Sequence, residues 1–208
     1  MTKLPTIFLA SESPRRKELL SRVGFTFAVI GREEVATPEF DPANPGEYAR
    51  ILAIAKAKAA KKIPGEGLIL GCDTIVFQNG ELLEKPRDKT EAIKFLTRLQ
   101  GSWHRVYTGI ALLDPRTGKL ESEVEMTEVL FGPMGEKAIV SYVESGEPMD
   151  KAGAYGIQEK GALLIKEIRG DYFNVVGLPL FRLTVLLSRF NFSLDRIMGQ
   201  CVPVFKNK

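Results

Sequence analysis

The chain alternates between strand-like and helix-like segments. Runs rich in β-branched and aromatic residues predict strands at residues 6–10, 25–30, 68–77, 81–84, 105–113, 120–131 and 162–168. Amphipathic or alanine-rich runs predict helices at residues 13–24, 45–62, 88–100, 136–144 and 180–190. Asn79-Gly80 favours a tight hairpin, and the turn-like residues 114–118 join two long strands. Together these features predict an α/β fold (α+β mixed), in which helices flank a mixed, twisted sheet.

The composition favours one compact cytoplasmic domain. The 208 residues are 44% hydrophobic and 26% charged, as in ordinary globular proteins. We assign residues 1–192 to a single domain and residues 193–208 to a C-terminal tail without a clear pattern. A net charge of +3 argues against a nucleic-acid partner, and no apolar run is long enough for a membrane span. The chain has two cysteines, Cys72 and Cys201, which argues against a disulfide framework and favours a reducing compartment.

Several common catalytic motifs are missing from the sequence. Neither the G-x-x-x-x-G-K-[ST] phosphate loop nor the G-x-G-x-x-G dinucleotide motif occurs. His104 is the single histidine, so a triad mechanism has one candidate base. It lies beside Trp103 at the beginning of a predicted strand, and we predict a packed, structural role for it.

The segment around Ser13 and Pro14 combines a helix start with two arginines. Ser13 is a candidate N-cap, and Arg15 and Arg16 then fall in the first turn. Cations there oppose the helix dipole unless an anion binds between them and the free backbone N–H groups. The segment is therefore either a phosphate-binding helix start or a solvated basic turn.

Asp73 interrupts an otherwise apolar strand, Leu70 to Val76. A carboxylate among buried neighbours is unfavourable unless it is paired, binds a metal or takes part in catalysis. Asp73 could act as a general base, hold Mg²⁺, or do both. The alternative is an aspartate satisfied by backbone amides at a strand end.

Three further polar residues stand in settings suited to binding. Lys56 lies in a nearly apolar helical run, and Lys85 precedes Pro86 directly after the hairpin. Both could neutralise phosphate oxygens, although either could extend its ammonium group to solvent. Gln158 ends a segment rich in glycine and small residues, residues 145–158, and offers a donor and an acceptor suited to a pyrimidine edge. Such segments also serve as plain connections.

Taken together, these segments resemble the Maf family of nucleotide pyrophosphatases from about Ile7 to Phe190. The motifs that carry the resemblance are LASESPRRKELL, the AKA around Lys56, GCDTIV, GELLEKP, HRVYTG, SGEPMDKAGAYGIQ and GDYFNVVGLPL. The resemblance implies a fold related to the inosine triphosphate pyrophosphatases. It also implies hydrolysis of nucleoside triphosphates between the α and β phosphates with a divalent metal, Mg²⁺ or Mn²⁺, and a homodimer.

The resemblance also assigns roles to residues of this chain. Asp73 matches the catalytic proton acceptor. The positions that line the triphosphate pocket correspond to Ser11, Arg15, Arg16, Lys56 and Lys85. Positions associated with substrate choice correspond to Arg15, Thr74 and Gln158. The metal ligands would be Asp73 and a second acidic residue, for which we take Glu34, with Glu33 as the competing assignment because this stretch is shorter than in the family.

The segments AYGIQ and NVVGLPL resemble the dTTP/UTP pyrophosphatase branch of the family. This predicts a nucleotide-pool enzyme that acts on dTTP, UTP and modified pyrimidine triphosphates. Two alternatives remain. One is a 7-methyl-GTP pyrophosphatase of the same family. The other is a nucleotide-binding regulator of septum formation and cell division, against which the intact set of Asp73, lysines and arginines argues.

Overall fold

A computed structural model describes residues 4–61 and 63–201. Its strands form one seven-stranded sheet in the order β2-β1-β3-β5-β6-β7, with β4 paired to β3. The strands are β1 (Thr6–Leu9), β2 (Phe27–Val29), β3 (Gly67–Gln78), β4 (Glu81–Leu83), β5 (Trp103–Leu113), β6 (Leu120–Phe131) and β7 (Ile165–Arg169). β1 runs parallel to β2 and β3, and the remaining pairs are antiparallel. The predicted mixed sheet is confirmed.

Seven α-helices accompany the sheet in the described part of the chain. They are α1 (Pro14–Arg22), α2 (Pro45–Lys58), α3 (Lys89–Leu99), α4 (Glu136–Glu144), α5 (Tyr172–Val176), α6 (Leu180–Arg189) and α7 (Leu194–Gln200). The local signals explain several boundaries. Pro14 begins α1, the Asp88 side chain accepts a hydrogen bond from Glu91 N at the start of α3, and Gly24 follows α1 at φ +82°.

Some boundaries differ from those predicted. α2 ends at Lys58, before the predicted end at residue 62, which lies outside the described residues. β7 begins at Ile165, because residues 160–164 form a 3₁₀ helix where we predicted the strand to begin. α5 and α7 were not predicted, since five and seven residues are too short to establish a helical period.

The hairpin turn follows its sequence. Asn79 and Gly80 both have positive φ, +50° and +84°, as a two-residue hairpin loop of this type requires. The turn joins β3 to β4, whose register pairs Gln78 with Glu81. This hairpin carries Lys85, two residues after β4 ends, towards the same edge of the sheet as Asp73.

β3 has an open stretch along one edge. β1 pairs with its first part, up to Leu70, and β4 pairs with its last part, from Val76. Between them, residues 71–75 pair with β5 alone among the described strands. An interrupted edge exposes backbone and side chains that a continuous sheet would cover, and the candidate site lies at this gap.

Apolar side chains cover both faces of the sheet. On one face, Leu68 and Leu70 of β3 pack with side chains of α1 and α6, including Leu19 and Leu183. On the other face, Ile69 packs with α2. A second large cluster joins α3 and α4 to the far end of the sheet.

α2 approaches the sheet unusually closely. Ala49, Ala53 and Ala57, four residues apart, are fully buried on one side of the helix. Below them the sheet carries Gly71 and Gly109, where an added Cβ would lie 2.2 Å from the carbonyl oxygens of Ala53 and Ala49 respectively. Only glycine fits at such backbone contacts, and the close approach brings α2 within side-chain reach of β3.

The segment after Phe192 packs on the domain as far as it is described. Ile197 of α7 is 4% exposed and belongs to the core beneath α6. Leu4 N also donates to Gln200 Oε1 over 2.8 Å. Residues 202–208 of the predicted tail lie outside the described residues. Within residues 4–61 and 63–201, the helices are all too short or too polar to cross a membrane.

Candidate active site

A cavity of about 1090 Å³ lies at the gap in the edge of β3. It is bordered by the segment after β1, the end of β4 and the loop that precedes β7. The residues that we predicted for the site all line it: Ser11, Arg15, Arg16, Glu34, Lys56, Asp73, Thr74, Lys85 and Gln158. They come from separate parts of the sequence, and the sheet brings them to one place.

Asp73 forms an ion pair with Lys56 across the space between β3 and α2. Lys56 Nζ donates to Asp73 Oδ1, and the two side chains are 19% and 14% exposed. The pair follows from the Gly71–Ala53 contact, which sets the helix against the strand. It occupies one carboxylate oxygen and leaves Oδ2 as the atom that can face a water molecule.

Burial perturbs the ammonium group of Lys56. Removal from water lowers the pKa of Lys56 below its ordinary value, and the repulsion of Arg16 and Arg32 acts in the same direction. The charge and hydrogen bond of Asp73 oppose this shift without cancelling it. A triphosphate entering the cavity would add negative charge beside the Lys56 ammonium group and favour its charged form.

Arg16 is a buried arginine that ties three segments together. Its Nε donates to Gly177 O over 2.8 Å, Nη1 to Ser11 Oγ over 2.9 Å and Nη2 to Thr74 Oγ1 over 3.1 Å. The residue is 9% exposed. Because a guanidinium group carries five N–H donors, two remain for a phosphate. Arg16 therefore holds three segments of the cavity wall together and also contributes a positive charge.

Arg15 lies at the mouth of the cavity and is held by a carboxylate. Its Nη1 lies 3.1 Å from Asp150 Oδ2, while Lys151 Nζ donates to Asp150 Oδ1 over 2.7 Å. Burial alone would raise the pKa of Asp150, but the hydrogen bond and charge of Lys151 and the charge of Arg15 lower it below its ordinary value. Asp150 thus balances two cations that an anionic ligand could also engage.

Gln158 lies in a loop that is held by hydrogen bonds to Glu147 and Tyr142. Glu147 Oε1 accepts from Tyr142 Oη over 2.9 Å and from Gly161 N over 3.1 Å, and its Oε2 accepts from Lys160 N over 3.0 Å. Tyr142 Oη in turn accepts from Gly156 N over 3.2 Å. These bonds hold both ends of the loop and so fix the backbone that carries Gln158 at the cavity.

The carboxylates at the cavity suit a metal that arrives with its substrate. In the described part of the chain, no group of three or more His, Cys, Asp and Glu side chains could hold a metal ion. Mg²⁺ is commonly bound through one or two carboxylates together with substrate phosphates, and Asp73 with an exposed glutamate matches that donor set. Glu33 and Glu34 are both exposed and both line the cavity, so each remains a candidate.

Sequence reasoning did not single out several residues of the site. Glu12, Glu84, Asp150, Lys151 and Gly177 also line the cavity. All five fall inside the motifs quoted above, so the motifs located them without giving them roles. The glycine at position 177 was itself a signal, because glycine tolerates positive φ, and Gly177 ends α5 at φ +116°.

His104 lies outside this site, as predicted. It is 2% exposed, its Nε2 lies 2.8 Å from Tyr155 Oη, and its ring packs edge-on against Phe131. Desolvation lowers the pKa of His104 to about 3, so the ring is neutral in the folded protein at ordinary pH. Cys72 is also fully buried beside Asp73, and burial raises the pKa of its thiol to about 11.

Comparison with known proteins agrees with this architecture. The chain is 47% identical over 189 residues to a dTTP/UTP pyrophosphatase of Symbiobacterium thermophilum, covering 90% of this chain and 95% of the relative. It is 43% identical over 195 residues to a dTTP/UTP pyrophosphatase of Acetivibrio thermocellus, covering 90% and 96%. A family model described as Maf-like protein matches residues 6–190. The chain therefore belongs to the Maf-like protein family.

Proposed function

We propose that this protein is a nucleoside triphosphate pyrophosphatase that hydrolyses dTTP and UTP to the monophosphate and pyrophosphate. The observation that carries the proposal is Asp73, a carboxylate facing a cavity lined by Arg15, Arg16, Lys56 and Lys85. A cavity of about 1090 Å³ has room for a nucleotide, and relatives that cover most of the chain are named dTTP/UTP pyrophosphatases.

In the proposed reaction, a water molecule attacks the α-phosphorus of the substrate. The bond from that phosphorus to the α–β bridging oxygen breaks, and pyrophosphate leaves with the bond's electrons. Asp73 orients the water and accepts its proton, while Lys56 fixes the orientation of the carboxylate through Oδ1. Arginines and lysines around the cavity stabilise the charge that develops on the leaving group.

The residues also support a role for Mg²⁺ or Mn²⁺. Asp73 and either Glu34 or Glu33 would hold the ion together with substrate phosphate oxygens. The bound ion would supply positive charge that stabilises the negative charge of the phosphates. Because Asp73 is already engaged by Lys56 at one oxygen, the exposed glutamates offer the less restricted ligands.

We assign substrate choice to three of the residues that line the cavity. Gln158 offers both a donor and an acceptor to a pyrimidine edge, and Arg15 and Thr74 line the same space. Arg15 and Gln158 also line an adjoining cavity of about 480 Å³. That additional space suits substituted bases, so modified pyrimidine triphosphates fall within the proposed substrate class.

The proposal includes a cytoplasmic homodimer. Cys72 and Cys201 are both free thiols, as a reducing compartment would maintain them. The dimer rests on the family resemblance. Sedimentation equilibrium at micromolar concentration tests it, because a monomeric mass across the concentration range would refute it.

The reaction is tested by pyrophosphate release from dTTP, UTP, CTP, GTP, ATP and 7-methyl-GTP with Mg²⁺ or Mn²⁺. We expect monophosphate and pyrophosphate from dTTP and UTP. Asp73→Asn should reduce kcat by about 10²–10⁴-fold, because it removes the proton acceptor. The matched control is Asp195→Asn, which changes an exposed aspartate of α7 and should leave kcat unchanged.

Each other outcome has a defined meaning. Turnover confined to 7-methyl-GTP would keep the reaction and refute the assignment of the base. Near-normal turnover by Asp73→Asn would refute the role of that residue. A folded, metal-supplied protein that releases no pyrophosphate from any nucleotide would favour the regulatory alternative.

A further inference from the structure

A chain of hydrogen bonds runs from the cavity into the centre of the sheet. Arg16 Nη2 donates to Thr74 Oγ1 over 3.1 Å, and Thr74 Oγ1 lies 3.0 Å from Thr108 Oγ1 on the neighbouring strand β5. Thr108 Oγ1 lies 3.0 Å from the main-chain oxygen of Asn174 in α5. Thr108 and Asn174 are both fully buried.

The direction of every bond in this chain is determined. The main-chain oxygen of Asn174 can only accept, so the hydroxyl of Thr108 uses its single proton there. Thr108 must then accept in its contact with Thr74, which makes Thr74 the donor. The Arg16 guanidinium can only donate, so Thr74 accepts from it.

Thr74 can therefore play only one hydrogen-bonding role towards a ligand. A hydroxyl has one proton and two lone pairs. The proton of Thr74 goes to Thr108, and one lone pair accepts from Arg16. The remaining lone pair belongs to a half-buried side chain that lines the cavity, so Thr74 can accept a hydrogen bond from a ligand but cannot donate one.

We propose that Thr108 is a specificity-determining residue that acts through Thr74, by holding Thr74 as an acceptor for the N3–H group of uracil or thymine. This inference rests on the proposed function. Uracil and thymine carry a proton on N3, whereas the N3 of cytosine carries a lone pair. Cytosine would place that lone pair against the lone pair of Thr74, and neither group would be satisfied.

The hydroxyl groups of the sugar are the other candidate donors of a hydrogen bond to Thr74. dTTP lacks the 2′-hydroxyl group, so a contact that serves both dTTP and UTP cannot depend on it. The 3′-hydroxyl is present in every substrate of the panel, and a bond to it would not distinguish uracil from cytosine. Selectivity between UTP and CTP therefore separates a contact with the base from one with the sugar.

The test measures the affinity of the α,β-methylene analogues of UTP and CTP by titration calorimetry with Mg²⁺ present. Their methylene bridge replaces the oxygen at the bond cleaved in the proposed reaction, so binding is observed without turnover. We expect the wild-type protein to prefer the UTP analogue at least about tenfold. Thr108→Val frees the Thr74 proton to donate to cytosine, so the preference should fall by about tenfold.

Matched variants separate polarity from packing. Thr108→Ser retains the hydroxyl and should retain the preference. Thr127→Val removes a different buried hydroxyl, which lies 2.9 Å from Asn174 Nδ2 and 3.0 Å from Asp171 O, and leaves the hydroxyl groups of both Thr74 and Thr108 in place. It should keep the wild-type preference. Thr108→Ala serves as a second hydroxyl-free variant if Thr108→Val does not fold.

Two results would overturn the inference. One is a wild-type protein with no preference for the UTP analogue, and the other is hydroxyl-free variants with an unchanged ratio, whether or not both analogues bind more weakly. Pyrophosphate release from dTTP and UTP is measured in parallel. Its absence would refute the proposed function, whereas the binding ratio still decides the hydrogen-bond assignment.

Discussion

At the scale of single residues, charges in the cavity are held by specific partners before any ligand binds. Lys56 is paired with Asp73, Arg15 with Asp150, and Arg16 is fixed by three acceptors. Fixed charges stabilise a developing negative charge without first having to reorient, which is the main source of electrostatic catalysis. In the proposed reaction, these partners would therefore contribute to catalysis, although several of them would not touch the substrate.

Lys56 should set the alkaline limit of activity. Because burial lowers the pKa of Lys56, its charge is lost at a lower pH than that of an exposed lysine, and a phosphate-binding cation is lost with it. Lys56→Arg keeps the charge at all accessible pH values, so the alkaline limb of kcat/KM against pH should move to higher pH. Lys85→Arg, at an exposed lysine of the same cavity, should leave the limb in place. An unmoved limb in Lys56→Arg would contradict the assignment.

At the scale of elements, the site depends on how closely α2 lies on β3 and β5. The three buried alanines and the two strand glycines remove the side chains that usually separate a helix from a sheet. The backbone contact then sets the distance over which Lys56 reaches Asp73. This interface of small residues therefore positions the Lys56–Asp73 pair as well as closing the core between α2 and the sheet.

Gly71→Ala should therefore be strongly destabilising. Its Cβ would lie 2.2 Å from the Ala53 oxygen and 2.7 Å from Ala57 N, which are both backbone atoms. We expect the free energy of unfolding to fall by about 3 kcal/mol, the upper end for overpacked cores. Urea denaturation measures it, and kcat should fall as the Lys56–Asp73 pair shifts.

The control for this prediction is Gly199→Ala. An added Cβ at Gly199 in α7 meets open space, so the free energy of unfolding should stay the same or rise by up to about 1 kcal/mol. Equal effects of the two substitutions would show that the close approach of α2 does not constrain residue 71.

At the scale of the whole molecule, one sheet joins the apolar clusters, and the candidate site lies at the gap in the edge of β3. The cluster around α1, α6 and α7 and the cluster around α3 and α4 lie at different ends of that sheet. His104 belongs to the second cluster region, where its ring contacts Phe131 and Tyr155. It is the one histidine of the chain, so any dependence of stability on histidine protonation comes from this residue.

Stability should decrease as the pH falls below the ordinary histidine pKa of 6.5. Folding lowers the pKa of His104 from 6.5 to about 3, so in this window the unfolded chain binds a proton that the folded protein does not. The free energy of unfolding then rises with pH, with a slope that approaches about 1.4 kcal/mol per pH unit between these two values and vanishes above them.

Urea denaturation between pH 7.5 and 5 measures this slope above the range in which most carboxylates titrate. His104→Gln keeps an amide able to bond Tyr155 Oη but cannot titrate, so its stability should be nearly independent of pH in the same window. A variant with the wild-type slope would place the responsible group elsewhere.

Much of the fold follows from local sequence. Pro14, Asp88 and Asn79-Gly80 mark a helix start, a helix cap and a hairpin turn. Pro14 and Asn79-Gly80 act through their backbone preferences, and Asp88 acts through the hydrogen bond that its side chain accepts. β6 and α4 have the predicted bounds, because their periodic patterns are long and uninterrupted. By contrast, α5 was missed because its five residues are held by tertiary hydrogen bonds such as Asn174 Nδ2 to Val106 O.

The sequence by itself determined the class of fold, through the alternation of strand-like and helix-like segments. It also identified charged residues of the candidate site, because Asp73 in an apolar strand and arginines at a helix start conflict with their local surroundings. The tertiary structure decided which groups meet. It opened the edge of β3 at residues 71–75, brought Lys56 to Asp73, and joined Arg16 to Gly177. Local patterns encode backbone preference and burial, whereas these contacts depend on strand order and helix spacing, which arise only when distant segments pack together.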